Sequence, residues 1–181
     1  MTEHTFSGNA GATFSGCRRY RYALWRVWDA RLPTVCFCGL NPSTADEHTD
    51  DPTIRRELSY ARAWGFGRLM KVNAYGWRDT NPKKMLAAPD PVGPDNLATV
   101  RYWATHCDLF VAGWGNNVRE RDAFVLRTML RQAGVTIHVL RVTGKGHPEH
   151  PLYLPSSLRP VTWPGGKPWA PTWAQKAEVL K

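Results

Sequence analysis

Two kinds of segment alternate along this chain. Four short apolar runs, "TVCFCGL" from Thr34, "RLMKVNAYG" from Arg68, "DLFVAGWG" from Asp108 and "TIHVLRV" from Thr136, read as strands buried on both faces. Between them lie helical stretches. Asp51 can cap a helix that opens on Pro52, shows Ile54, Leu58 and Ala61 on one face, and stops at Gly65. Further helices are expected from about Asn96 to His106 and over "ERDAFVLRTMLRQAG", which Gly134 ends. Upstream, "CRRYRYALWRVWD" offsets Tyr20, Tyr22 and Leu24 from Arg19, Arg21 and Arg26, as a half-exposed strand or hairpin would. Strands alternating with helices predict an α/β fold with a mostly parallel central sheet covered on both faces.

Ligand sites in such sheets gather beyond the carboxyl ends of the strands. Here each inner strand is followed by polar or turn-forming residues. Asn41, Ser43 and Thr44 follow the first, and Asn73, Tyr75 and Trp77 the second. Trp114, Asn116 and Asn117 follow the third, and Thr143, Lys145, His147 and His150 the fourth. These sets converge on one edge, which predicts that Asn41, Trp114 and His150 line one cleft. Asn41 offers an amide donor and acceptor to a ligand or to its own turn. His147 and His150 sit in a stiff Gly- and Pro-rich loop, where a donor to developing negative charge can be held. Trp114 reads equally well as a stacking surface or as core.

The chain has 181 residues, 43% of them hydrophobic, enough for one domain with a sizeable core. The expected division is an N-terminal arm or loosely laid edge over 1–16, a single domain over 17–158, and a Pro- and Trp-rich extension over 159–181 packed on that domain. No apolar stretch approaches the roughly 18 residues of a membrane span, so a soluble cytoplasmic protein without membrane partners is expected. Cys17, Cys36, Cys38 and Cys107 lack the second close cluster that a disulfide framework or zinc site needs. Asp46, Glu47, Asp50 and Asp51 resemble a hard-metal site, but Asp51 is better used as a cap; no metal or cofactor is expected.

The formal charge of +9 makes a nucleic acid or nucleotide the expected partner, with no obligate protein partner. Arg18, Arg19, Arg21, Arg55 and Arg56, with Lys145, are expected to set a positive field around the cleft. No G-x-x-x-x-G-K-[ST], strand-borne G-x-G-x-x-G or G-x-S-x-G occurs, which counts against P-loop enzymes, dinucleotide oxidoreductases and standard serine hydrolases.

"RYRYALWRVWD", "CGLNPSTADEHTDDPTIRR", "WGFGRLMKVNAYGWRDTNP" and "GHPEHPLYL" together resemble the domain of unknown function 1643 family of bacterial and phage proteins, over about Arg19 to Leu154. The family's last motif places a lysine one position earlier than Lys145. More distantly, "CGLNPS" and "HPLYLP", which contains Tyr153, resemble motifs of the uracil-DNA glycosylase superfamily, with Ser43 in place of a glycine. That resemblance implies a three-layer α/β/α sandwich of uracil-DNA-glycosylase-like type. It also implies that Asn41 orients an attacking water, that His150 hydrogen bonds the leaving base, and that an aromatic such as Trp114 lines the base pocket. Two other readings stay open: a non-catalytic nucleic-acid-binding module, favoured by the lack of an acidic general base beyond the turn, and a small-nucleotide or phosphate-ester hydrolase, which would need Asp46, Glu47 and Asp50 to converge opposite Lys145.

Overall fold

The computed structural model describes residues 8–164. Seven strands form one sheet: β1 (Ala10–Phe14), β2 (Arg21–Val27), β3 (Thr34–Gly39), β4 (Arg68–Asn73), β5 (Leu109–Ala112), β6 (Ile137–Val139) and β7 (Val161–Thr162). Their order across the sheet is β1-β2-β4-β3-β5-β6-β7. The four inner strands β4, β3, β5 and β6 pair in parallel, while β2 joins β4, β1 joins β2 and β7 joins β6 in antiparallel fashion. The fold is therefore mixed α/β, with a parallel centre and antiparallel margins.

The inner strands are those the apolar runs predict, because residues buried on both faces leave no polar alternation. The margins differ in detail from the expectation. Ala10–Phe14, within the stretch read as an arm or loose edge, is strand β1. Val161–Thr162, within the stretch read as an extension, closes the far edge. The rest of both segments, residues 1–7 and 165–181, lies outside the described residues.

Four α-helices accompany the sheet: α1 (Pro52–Ala63), α2 (Pro82–Leu86), α3 (Asn96–Thr105) and α4 (Glu120–Gln132). Alternate residues of a strand face opposite ways, so each strand feeds two cores. Val35, Phe37, Leu69, Leu109 and Val111 pack with Tyr60 and Ala61 of α1 and with Trp64, which caps its end. Cys36, Cys38, Met70, Val72, Phe110 and Ala112 pack instead with Val100 and Trp103 of α3 and Ala123, Leu126 and Leu130 of α4. Asp51 caps α1, its Oδ1 accepting the Ile54 N–H at 2.9 Å, and Pro52 occupies the first turn, where no amide hydrogen is needed. Among the described residues no helix is long and apolar enough to cross a membrane.

Candidate functional site

Because β3, β4, β5 and β6 run in parallel, the loops that follow them meet at one sheet edge. A cavity of about 310 Å³ opens there, at the lower end of the roughly 300–1,000 Å³ typical of small-molecule sites. Asn41, Ser43, Asn73, Trp114 and His150 all line it, as do Asn116 and Asn117. The loops are clasped to one another. Asn41 Nδ2 donates to the Pro42 carbonyl at 3.0 Å and the Asp79 carbonyl at 2.7 Å, while the Asp79 N–H returns a bond to the Pro42 carbonyl at 3.1 Å. Two carbonyl partners fix which end of the Asn41 amide is nitrogen and leave Oδ1 as its acceptor. Gly115 N–H donates to the Pro148 carbonyl, and Thr143 Oγ1 donates to Asn116 Oδ1 at 2.7 Å, tying the third loop to the fourth.

The floor of the cavity is charged. Lys71 and Asn73 follow Leu69 on the α1 face of β4, and Lys71 Nζ meets Glu57 Oε1 at 2.5 Å with both side chains buried. Gly39 stands beside Asn73 on β3. A Cβ there would lie 2.6 Å from Lys71 Nζ and 3.0 Å from Asn73 Oδ1, so only glycine leaves these groups their places. Burial pushes the Glu57 carboxyl above its usual range, against the pull of Lys71. Arg21 is also buried here. Its guanidinium donates to the Ala45 carbonyl, its Nε has no hydrogen-bond partner, and burial pushes its pKa down to about 10.

Unsatisfied buried polar atoms are uncommon in folded proteins, and several belong to residues that line this cavity. Asn73 has neither its Nδ2 nor its Oδ1 partnered, and Trp114 Nε1 is likewise unpartnered. Asn73 is held in place from behind by Asn96, the first residue of α3, whose Nδ2 donates to the Asn73 and Ala74 carbonyls at 3.0 and 3.1 Å. His150 accepts the Leu152 N–H on Nδ1 at 3.3 Å. Burial, and then the nearby Lys71 charge, push its pKa down to about 4 against the opposing pull of Asp51. Near neutral pH the ring is therefore uncharged, with its proton on Nε2. Asp51, read from sequence as a cap, lines the cavity as well, with Oδ1 spent on the cap. It supplies an acidic group beside the cavity, which sequence reasoning did not find.

Several other candidates lie outside the cavity. Tyr75 is buried, donating to Asp122 Oδ2 at 2.7 Å and accepting the Arg119 N–H at 3.0 Å, so it braces α4. His147 Nε2 meets Glu120 Oε1 at 2.8 Å. Lys145 and Tyr153 are exposed away from it, and Thr44 borders a neighbouring depression. Arg56 lies over the Tyr60 ring at 5.1 Å and donates to the Leu154 carbonyl, holding the segment after His150 against α1; Arg55 donates to the Asp50 carbonyl. The acids of the first loop are separately occupied. Asp46 Oδ1 accepts the His48 and Thr49 N–H groups, Glu47 pairs with Arg18 and Asp50 with Arg26. Among the described residues no group of three or more His, Cys, Asp or Glu is placed to hold a metal ion.

Fold and site thus define a mixed α/β protein with a polar cavity at the carboxyl edge of its parallel strands. The chain belongs to the family described as "Protein of unknown function (DUF1643)", whose model matches residues 21–152. Neither the curated proteins nor the solved structures contain a significant match.

Two measurements check this geometry. Lys71→Met should cost about 3–5 kcal/mol of stability, because it strands Glu57 without its counter-ion, whereas Lys71→Met with Glu57→Leu should recover most of that loss. Urea unfolding that finds the double variant no more stable than Lys71→Met would contradict it. For His150, the unfolded chain takes up a proton near pH 6.5 and the folded one only near about 4, so stability falls as pH drops through that window. His150→Gln should show a smaller fall in urea midpoint between about pH 7 and about pH 4.5 than the parent protein. An equal fall would mean that His150 is not held neutral.

Proposed function

We propose that the cavity binds a nucleobase, presented on a nucleoside, nucleotide or nucleic acid, and that the protein hydrolyses its N-glycosidic bond. The observation that carries the reading is the Asn73 side chain: a buried amide with donor and acceptor both unpartnered, lining a cavity sized for a small ligand. An amide of this kind matches the adjacent donor and acceptor on the edge of a base.

The other groups fit the same chemistry. Asn41, its Nδ2 anchored, presents Oδ1 to a water, and the free oxygen of Asp51 is the acidic group that can take that water's proton. Attack of the water oxygen on the sugar carbon breaks the bond to the base nitrogen, and the bonding pair departs with the base. Neutral His150 donates its Nε2 proton in a hydrogen bond to the base as negative charge grows on it. Packing of α1 on one sheet face and of α3 and α4 on the other agrees with the α/β/α arrangement that the glycosylase resemblance implies.

A second reading, a binding module without catalysis, is favoured by Ser43, which lines the cavity where the glycosylase motif has glycine. The phosphate-ester reading loses its support, since Asp46, Glu47 and Asp50 are each engaged elsewhere.

Asn41→Ala and His150→Ala should each slow base release by about a hundredfold, about 3 kcal/mol, with little change in binding, since both act mainly in the transition state. Asn73→Ala should weaken binding instead. The assay offers uracil, hypoxanthine and alkylated bases in mismatched and single-stranded DNA and measures both free base and abasic sites. No product over that panel, with DNA binding retained, would transfer the assignment to the binding module.

A further inference from the structure

A second, more open depression of about 450 Å³ abuts the cavity and shares Ser43, Asp79 and Thr80 with it. Arg18, Arg19, Arg78 and Trp77 form its other side. The arginines are ordered by aromatic rings. Phe14 of β1 lies beneath both Arg18, at 4.0 Å, and Arg78, at 4.8 Å, while Arg19 lies 6.0 Å from the Trp77 ring centre. The two segments that carry them are bridged, Tyr20 pairing with Trp77 and the Arg78 N–H donating to the Arg19 carbonyl at 2.9 Å.

Their charges are largely uncommitted. Arg18 meets Glu47 at 3.1 Å in an exposed contact, but among the described residues neither Arg19 nor Arg78 pairs with a carboxylate. Arg78 Nε is buried and without a hydrogen-bond partner. Asp79, the acid on the shared rim, accepts the Asn81 N–H at 2.8 Å. The turn that presents Arg18 and Arg19 places Arg18 at a φ of 55°, a left-handed conformation that disfavours a residue with a side chain and persists where the surroundings enforce it. Guanidinium groups stacked in advance on aromatic rings lose little freedom on binding, and their forked donors match phosphate oxygens.

We propose that this basin seats a phosphate of the nucleotide whose base occupies the adjoining cavity. The substrate is then a phosphorylated nucleotide unit, free or within a strand, rather than a free base or nucleoside. The inference rests on the nucleobase reading of the cavity. It assigns the cationic contacts to Arg18, Arg19 and Arg78 rather than to Arg55, Arg56 or Lys145, and Arg78 carries no signal in the sequence that sets it apart from other loop arginines.

The test measures binding by the full chain of deoxyuridine and deoxyinosine, each as nucleoside, as 5′- and as 3′-monophosphate, and within a short single-stranded oligonucleotide beside its abasic counterpart. For at least one base, a phosphorylated form should bind at least about tenfold more tightly than the nucleoside, with an advantage that shrinks between about 50 and 200 mM salt. Arg19→Gln with Arg78→Gln should remove that advantage while leaving nucleoside binding unchanged. The exposed single variant Arg19→Gln, which leaves the buried Arg78 Nε in place, should remove part of it. An advantage seen for the strand but for neither monophosphate would assign the seat to a neighbouring phosphodiester of a polymer. Nucleoside binding as tight as that of every phosphorylated form would overturn the phosphate seat and leave the base site standing. Equal binding of the abasic and base-bearing strands would overturn the base site instead, and with it this inference.

Discussion

The Lys71–Glu57 pair is the constraint around which this structure is arranged. Two opposite charges at 2.5 Å in the interior of a small α/β protein are a poor choice for stability, because desolvation offsets most of their attraction and a well-packed apolar pair does as well or better. The rest of the edge accommodates them. Gly39 gives up a side chain so that Lys71 Nζ can lie against β3, and α1 turns a carboxylate toward the sheet in the middle of its apolar face. Burial does most to keep His150 neutral, and the positive charge of Lys71 adds to it across the cavity. A charge kept in place at such expense, next to an unpartnered amide, supports the proposed base site.

The clasped loops give that cavity its rigidity. Each of the four segments following the parallel strands is bonded to another or to the element behind it: Asn41 to Asp79, Asn73 to Asn96, Gly115 to Pro148, Asn116 to Thr143. Loops held in this way lose little conformational freedom on binding, the condition under which a few hydrogen bonds can be selective. The open basin beside the cavity is ordered differently, by rings against guanidinium groups.

Much of this was legible in the sequence, for a simple reason. Runs such as "TVCFCGL" fit strands covered on both faces, parallel strands put their following loops on one edge, and Asn41, Trp114 and His150 come together as that geometry requires. What the pattern hid was longer in range. Lys71 in "RLMKVN" reads as a solvated strand position unless its apolar neighbours on both sides are taken to mean that it is buried, and Glu57 between Ile54 and Ala61 marks the same conflict on the helix. Those two charges on apolar faces were the available signal. Asp51 was hidden by its own cap, since an N-cap role leaves the second carboxylate oxygen unassigned. The separation of His147 from His150 had no local signal: both share one loop, and only the position of Glu120 on α4 draws His147 away. The edge strands β1 and β7 are short and half-exposed, so pairing partners rather than composition decide them.

A base that fills the cavity must meet Asn73. The most direct measurement is a titration of isotope-labelled protein with uracil, hypoxanthine and 3-methyladenine, following the side-chain nitrogen resonances of Asn73, Trp114 and His150. For at least one base the Asn73 Nδ2, Trp114 Nε1 and His150 Nε2 signals should move together along one saturating curve, while the Arg55 side chain, outside the cavity, stays still. Saturable shifts confined to residues outside the cavity, or none at these three side chains with any of the bases, would contradict it.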